Sequence, residues 1–274
     1  MFSDFPEKAQ DRLRLLGNIR VVLVDAKFSG NVGMAARAIA NNALGGLHLV
    51  NPRAELNKEA YTRALSGGHI LDTAMVHDNL HDALADCSLV IGTTRRRGSL
   101  RKNVLSPFQA ADMVREVVTL NRVAVVFGSE ESGLSNDDLA LCHWIVSLTT
   151  GSDFESFNLA HSVAIIGYLL NRAVAGPPKG QRKLASTKNL ELMFEDISDY
   201  LCDIGFIHEK DPRRMMMAIR KILHRSGLAE RDVRIIRGIL RQSRWRIANP
   251  HAEIRPDQAW NEEDEGEDDN ELGP

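Results

Sequence analysis

The sequence predicts an α/β domain on a three-layer parallel sheet, followed by a helical extension. Three observations carry that prediction. Between residues 19 and 174, six short apolar runs alternate with amphipathic segments. The runs are nearly continuous in Val, Ile and Leu, as strands buried on both faces are. Beyond Arg172 the strand-like runs stop and only helical periodicity remains.

In chain order the runs are IRVVLVD (19–25), LHLV (47–50), AMVH (74–77), SLVIG (88–92), RVAVVFG (122–128) and WIVSLT (144–149). The segments between them read as helices of about 8 to 15 residues. Ser106-Pro107 opens one, with Ser as N-cap and Pro where a missing N–H costs nothing. Ser135 likewise caps NDDLALC. The helix near 157–174 has Leu159, Val163, Ile166 and Leu170 at helical spacing, which gives it a core face.

AGPPKGQRK (175–183) marks a boundary. The expected division is a body over 1–174, a linker over 175–185, a helical extension over 186–248 and an acidic tail over 249–274. Helices are expected over 188–204, 212–225 and 230–245, with Asp211-Pro212 repeating the cap-and-proline signature. NEEDEGEDDNE (261–271) cannot bury enough apolar surface to offset ordering entropy and is expected to be disordered.

The net charge of −3 hides a segregated layout. Residues 1–178 are nearly neutral, with 17 basic and 18 acidic side chains. Residues 179–246 hold 16 basic and 9 acidic, and residues 247–274 one basic and 10 acidic. Such asymmetry points to a polyanion partner, with the tail as an internal competitor. The plainer reading is a solvated helical hairpin and a solubilising tail, and charge alone leaves both open.

Other classes are excluded. Cys87, Cys142 and Cys202 are odd in number and form no CxxC, so neither a disulfide scaffold nor a zinc ribbon fits. A reducing, cytoplasmic compartment does. MFSDFPEKAQDRLRLL lacks the apolar centre of a signal peptide, and no apolar run approaches the roughly 20 residues of a membrane helix.

Ligands of open parallel sheets bind at the carboxyl ends of strands, so the segments just after the strands are the ones to inspect. In KFSGNVGMAAR (27–37), Gly30 and Gly33 permit a tight turn, and Asn31 and Arg37 follow. Taken alone, Asn31 reads as a helix cap. In GTTRRRGSLRK (92–102), Thr93 and Thr94 precede Arg95, Arg96, Arg97, Arg101 and Lys102. With no aromatics interleaved, this density of cations fits phosphate contact. In FGSEESGLS (127–135), Glu130 and Glu131 lie in a turn between Gly128 and Gly133. Such a pair does acid–base work or, more often, caps amides. In SLTTGSDFESFNLAHS (147–162), Ser156 lacks GxSxG context, so it and Asn158 read as positioning groups rather than a nucleophile site.

Weaker candidates read plainly. His77 and His81 have a metal-like spacing, but no third ligand is near and a solvated helix start is the simpler account. Met215, Met216 and Met217 read as core contact. Arg234, Arg237, Arg241 and Arg244 recur on one helix face opposite Val233, Ile236 and Leu240, which makes them candidate RNA-phosphate contacts.

Together, Asn-x-Gly-x-x-x-Arg (31–37), Phe-Gly-x-Glu-x-x-Gly-Leu (127–134) and Ser-Phe-Asn-Leu-Ala (156–160) resemble the three ordered motifs of the SPOUT superfamily of RNA methyltransferases. The likeness spans about residues 18–174, and each motif alone is weak. Residues 205–240 are similar to the C-terminal part of one subfamily, the bacterial tRNA (cytidine/uridine) 2′-O-methyltransferases acting in the anticodon loop. The resemblance implies a C-terminal trefoil knot, which no hydrophobic pattern reveals. It also implies a homodimer, S-adenosylmethionine as cofactor and tRNA as partner. The cofactor is already activated, so no metal is required.

By position, the resemblance places the cofactor on Thr93, Thr94, Arg95, Gly128, Leu148, Ser156, Phe157 and Asn158. It makes Arg37 the catalytic arginine, supported by Asn31, Glu130, Ser156 and Asn158, while Arg96, Arg97, Arg101 and Lys102 fall to RNA. Phe157 stands where the family usually has Leu, and nothing in the family matches the acidic tail. Three rivals remain: a ribosomal-RNA ribose methyltransferase, an inactive RNA-binding relative, and a nicotinamide oxidoreductase. The last is disfavoured by the missing GxGxxG.

Overall fold

A seven-stranded sheet, parallel at every pairing, takes up the apolar runs in the order β3-β2-β1-β6-β4-β7-β5. The computed structural model of the chain describes residues 7–94, 104–148, 150–151, 156–175, 183–207 and 213–251. The strands are β1 (Ile19–Val24), β2 (Gly46–Val50), β3 (Met75–His77), β4 (Leu89–Thr93), β5 (Val104–Leu105), β6 (Val123–Phe127) and β7 (Trp144–Val146). The apolar runs are continuous because each strand feeds two cores. In β1, Val21 and Leu23 enter one core and Val22 and Val24 the other.

Helices α1 (Glu7–Gly17), α2 (Ser29–Asn41), α3 (Lys58–Ala64), α4 (Gly68–Asp72), α5 (Leu80–Leu84), α6 (Pro107–Val117), α7 (Asn136–Ala140) and α8 (Leu159–Val174) flank the sheet. The larger core takes residues from α1, α2, α3, α6 and α8, the smaller one from α5 and α7 only. Ser106 and Ser135 cap α6 and α7 through reciprocal capping boxes.

The structure corrects several expected boundaries. WIVSLT stops pairing at Val146, and β5 is a two-residue edge strand too short to leave a periodic signal. Helices α4, α5 and α7 have only five residues each, below the expected length. All three cysteines are free.

The extension comprises α9 (Thr187–Asp203), α10 (Arg213–His224) and α11 (Glu230–Ala248). They close around their own core, which includes Met193, Phe194, Met216 and Val233. Met216 is therefore a core contact as expected, while Met215 is exposed. The extension docks on the thinly covered face of the sheet. Thr187 donates its N–H and its hydroxyl to the Cys87 carbonyl, each at 2.7 Å, and the Leu184 N–H donates to Asn121 Oδ1 at 2.7 Å. His224 of α10 meets His143 edge-on, with ring centroids 4.5 Å apart. Two short helices leave that face open, and the extension completes its cover. The Asp211-Pro212 cap, residues 176–182 of the linker and the tail from residue 252 lie outside the described residues.

Candidate active site

The site follows from the strand order. β2 and β3 lie to one side of β1, and β6, β4, β7 and β5 to the other. Chains leaving adjacent strand ends in opposite directions open a crevice at the carboxyl edge. A cleft of about 880 Å³ lies there, lined by residues that follow β1, β4, β6 and β7.

Its floor is a directional hydrogen-bond chain. Asn158 caps α8, its Oδ1 accepting the Ala160 N–H at 2.8 Å. With its oxygen engaged, Asn158 Nδ2 donates to Asn31 Oδ1 at 3.0 Å. Asn31 Nδ2 then donates to Glu130 Oε1 at 2.8 Å. Glu130 Oε2 also accepts the Lys27 N–H at 3.1 Å. Read in this direction, the chain ends on an acceptor, a carboxyl oxygen of Glu130. Asn31, at the centre of the chain, is buried at 8% exposure, while Asn158 is exposed and Glu130 half-buried at the edge of the cleft.

The arrangement settles the two open readings. Asn31 is not the cap of α2, because it lies inside the first turn and the N-cap, Phe28, offers no side-chain bond. Glu130, about a hundred residues away in sequence, is the group that receives amides leading into that helix, and it places negative charge at the positive end of α2. The N-terminus of α8 faces the same cleft through Asn158, Leu159 and Ser162.

Three glycines have reasons the sequence did not show. A Cβ on Gly128 would sit 2.1 Å from the Gly133 carbonyl carbon and the Leu134 nitrogen, so the β6 loop folds onto its own backbone there. Gly133 has φ +69°, the left-handed conformation that closes the turn. A Cβ on Gly33 would sit 2.1 Å from the Ala60 carbonyl oxygen, so this glycine serves the crossing of α2 and α3.

Of the expected site residues, Asn31, Thr93, Thr94, Gly128, Glu130, Leu148, Ser156, Phe157 and Asn158 all line the cleft. The Thr93 hydroxyl is engaged internally, donating to the Val126 carbonyl at 3.0 Å. Arg37 is exposed and lies outside the lining of the cleft. Six residues beyond Asn31, it sits about 9 Å farther along α2 and about a third of a turn around it. Met34 faces the cleft instead, and Arg37 lies where Gly67 packs on the helix. Arg95, Arg96, Arg97, Arg101 and Lys102 lie outside the described residues.

The expected RNA stripe on α11 divides in two. Arg237 Nε donates to Asp196 Oδ2 at 2.6 Å and Arg244 Nε lies 3.0 Å from Asp203 Oδ2 as an ion pair, so two of its four members are paired with α9. Arg234 and Arg241 are exposed. Sequence reasoning missed Lys27, Glu59 and Arg63 of the cleft wall. Glu59 and Arg63 are one turn apart on α3, but no strand ends directly before that helix to draw attention to them.

The chemistry available is positioning rather than thiol attack. Burial holds the Cys87 thiol up at about 12 and pushes Cys142 higher still, so both stay neutral. The Lys27 ammonium beside Glu131 holds that carboxyl below the usual range. No cluster of three or more metal-ligating side chains occurs among the described residues. His77 bonds His48 at 2.9 Å instead of joining His81. No helix among the described residues is long and apolar enough to cross a membrane.

A parallel sheet with this polar, loop-built cleft at its switch point defines a class. Residues 18–168 match the SpoU rRNA Methylase family, and the chain belongs to it. The superfamily's deep C-terminal knot goes with that membership. Residues 188–253 match the C-terminal domain of the tRNA methyltransferase TrmJ. The chain is 36% identical over 243 residues to tRNA (cytidine/uridine/adenosine-2'-O-)-methyltransferase TrmJ of Pseudomonas aeruginosa, covering 84% of this chain and 95% of that one. It is 34% identical over 234 residues to tRNA (cytidine/uridine-2'-O-)-methyltransferase TrmJ of Citrobacter koseri, covering 82% and 96%. Among solved structures, TrmJ from Z. mobilis superposes with a TM-score of 0.72 at 30% identity, covering 82% of this chain and 98% of that one.

Proposed function

We propose that this chain transfers the methyl group of S-adenosylmethionine to the ribose 2′-hydroxyl of a cytidine or uridine in the tRNA anticodon loop. It does so as a cytoplasmic homodimer. The observation that carries the reading is the chain Asn158–Asn31–Glu130, which ties three strand-end loops together at the floor of one cleft. The named activities of the TrmJ relatives support the substrate.

The cleft fits the cofactor. Met34, Phe127, Leu134 and Leu148 give an apolar wall for an adenosyl group. The α8 N-terminus gives amide dipoles for a carboxylate. Thr93, Thr94, Gly128, Leu148, Ser156, Phe157 and Asn158 would hold it, joined by Arg95. When bound, it supplies a methyl group already activated on a positive sulfur.

The protein's own task is alignment and charge. Asn31, Ser156 and Asn158 orient the sugar hydroxyl at the cleft, and Glu130 fixes Asn31 against α2. Arg37 meets the incoming nucleotide from the exposed side of α2. An arginine stays protonated, so its role is to hold a phosphate or stabilise negative charge developing on oxygen, rather than to remove a proton.

The test incubates the full chain with S-adenosylmethionine and either unmodified tRNA or ribosomal RNA, followed by mass spectrometry of the nucleosides and mapping of the methylated position. A 2′-O-methylated cytidine or uridine in the anticodon loop is expected. Methylation of ribosomal RNA alone would move the substrate, and RNA binding without cofactor binding would mark an inactive relative. Arg37→Lys should remain far below wild-type turnover. Near-complete rescue would remove the need for guanidinium geometry.

A further inference from the structure

Helix α10 differs from its neighbours in charge. Residues 213–229 contain five Lys and Arg and no Asp or Glu. α9 carries five acids against a single Lys188. α11 answers those acids through Arg237 and Arg244, so its stripe is a clamp between helices. Among the described residues, the α10 arginine with that role is Arg220, which forms a two-pronged pair with Glu191, with Nη2 to Oε2 at 2.7 Å, over the ring of Phe194.

The inward face of α10 packs through Met216, Ile219 and Leu223. Its outward face exposes Arg213, Arg214, Met215, Ala218 and Ile222. On another side, Met217, Arg220, Lys221 and His224 share a crevice with Asn136, Leu139, Ala140 and His143. His224 lies against His143 there.

We infer that the outward face of α10, led by Arg213 and Arg214, is the surface on which the extension receives the phosphate backbone of RNA. The α11 arginines hold the extension's shape. The inference rests on the tRNA reading above. Charge complementarity selects the occupant: a helix whose cations are unmixed with acids attracts a regular polyanion and releases its counterions. Exposed Met215 and Ile222 add apolar contact beside those cations.

The experiment measures affinity of the full chain for unmodified tRNA by fluorescence anisotropy, from about 50 to about 200 mM salt. Arg213→Gln with Arg214→Gln should lower the slope of log affinity against log salt by about 1 to 2 and weaken binding about tenfold at low salt. Arg213→Lys with Arg214→Lys should keep the slope. Arg237→Gln with Arg244→Gln should leave it unchanged. Thermal melts confirm that each variant is folded. If the wild type binds tRNA and the α10 glutamine variant keeps the wild-type slope, the assignment to α10 falls while the tRNA reading stands. A slope lost in the α11 variant instead returns the contact to that helix. If the wild type does not bind tRNA at any salt, both readings fall.

Discussion

The cleft and the extension put the same kinds of side chain to opposite uses. In the cleft, Asn158, Asn31 and Glu130 bond into one chain, its bonded partners 127 and 99 residues apart, that leaves open space above it. In the extension, Arg220, Arg237 and Arg244 find carboxylates on the adjacent α9 and close the space between helices. The first arrangement orders groups for something arriving from outside, while the second satisfies groups so that a small core can form. The difference teaches that regular spacing of charge along one helix does not mark a binding face. Whether a neighbouring helix offers the opposite charge decides it.

Four experiments bear on this contrast, the first with the largest effect. Glu191 is buried at 8% exposure and holds Arg220, so Glu191→Ala should cost about 3 kcal/mol of unfolding free energy. Chemical denaturation measures it, and cofactor affinity in the folded variant should not change. Glu130→Ala should do the reverse. It removes the acceptor shared by Asn31 and Lys27, and turnover should fall about a hundredfold, or about 2.7 kcal/mol, in a chain that still folds. A large loss of stability with little loss of turnover would erase the distinction between the two regions.

Acid should separate them next. Burial holds His143 down at about 4, and burial with neighbouring His143 and Arg220 holds His224 down at about 2, against the ordinary 6.5. Both histidines are neutral when folded, while the unfolded chain takes up protons below about 6.5. The unfolded state then binds more protons, so stability falls as pH falls from about 6.5 toward 4. Each unit removes at most about 1.4 kcal/mol per histidine. A pH series of melts should show the loss, and His143→Phe should remove its own share while His224 and His48, the latter also held down at about 4 by burial, keep theirs. Smallest is Arg237→Gln, which breaks a partly exposed pair and should cost under about 1 kcal/mol.

Much of the fold was legible because burial on both faces writes itself into continuous apolar strands, and β1, β2, β4 and β6 were found within a residue or two. β5 was not, since two residues at a sheet edge carry no period. The polar set of the cleft was legible only as an ordered trio of motifs, since Asn31 alone reads as a cap. Glu59 and Arg63 were hidden because they reach the cleft from a helix that follows no strand end directly. The fate of the α11 stripe could not be read from α11, because its partners Asp196 and Asp203 lie on another helix. The close packing of Gly128 on Gly133 and Leu134 left no trace in the sequence beyond the two glycines themselves.

The one-way run of donors and acceptors from Asn158 to Glu130 has a consequence for descent. Loss of any single member leaves its neighbour without the partner that orients it at the cleft floor. Lineages that keep the reaction should therefore inherit the three as one block. A lineage released from selection should lose them in quick succession, while its apolar strands persist long afterwards.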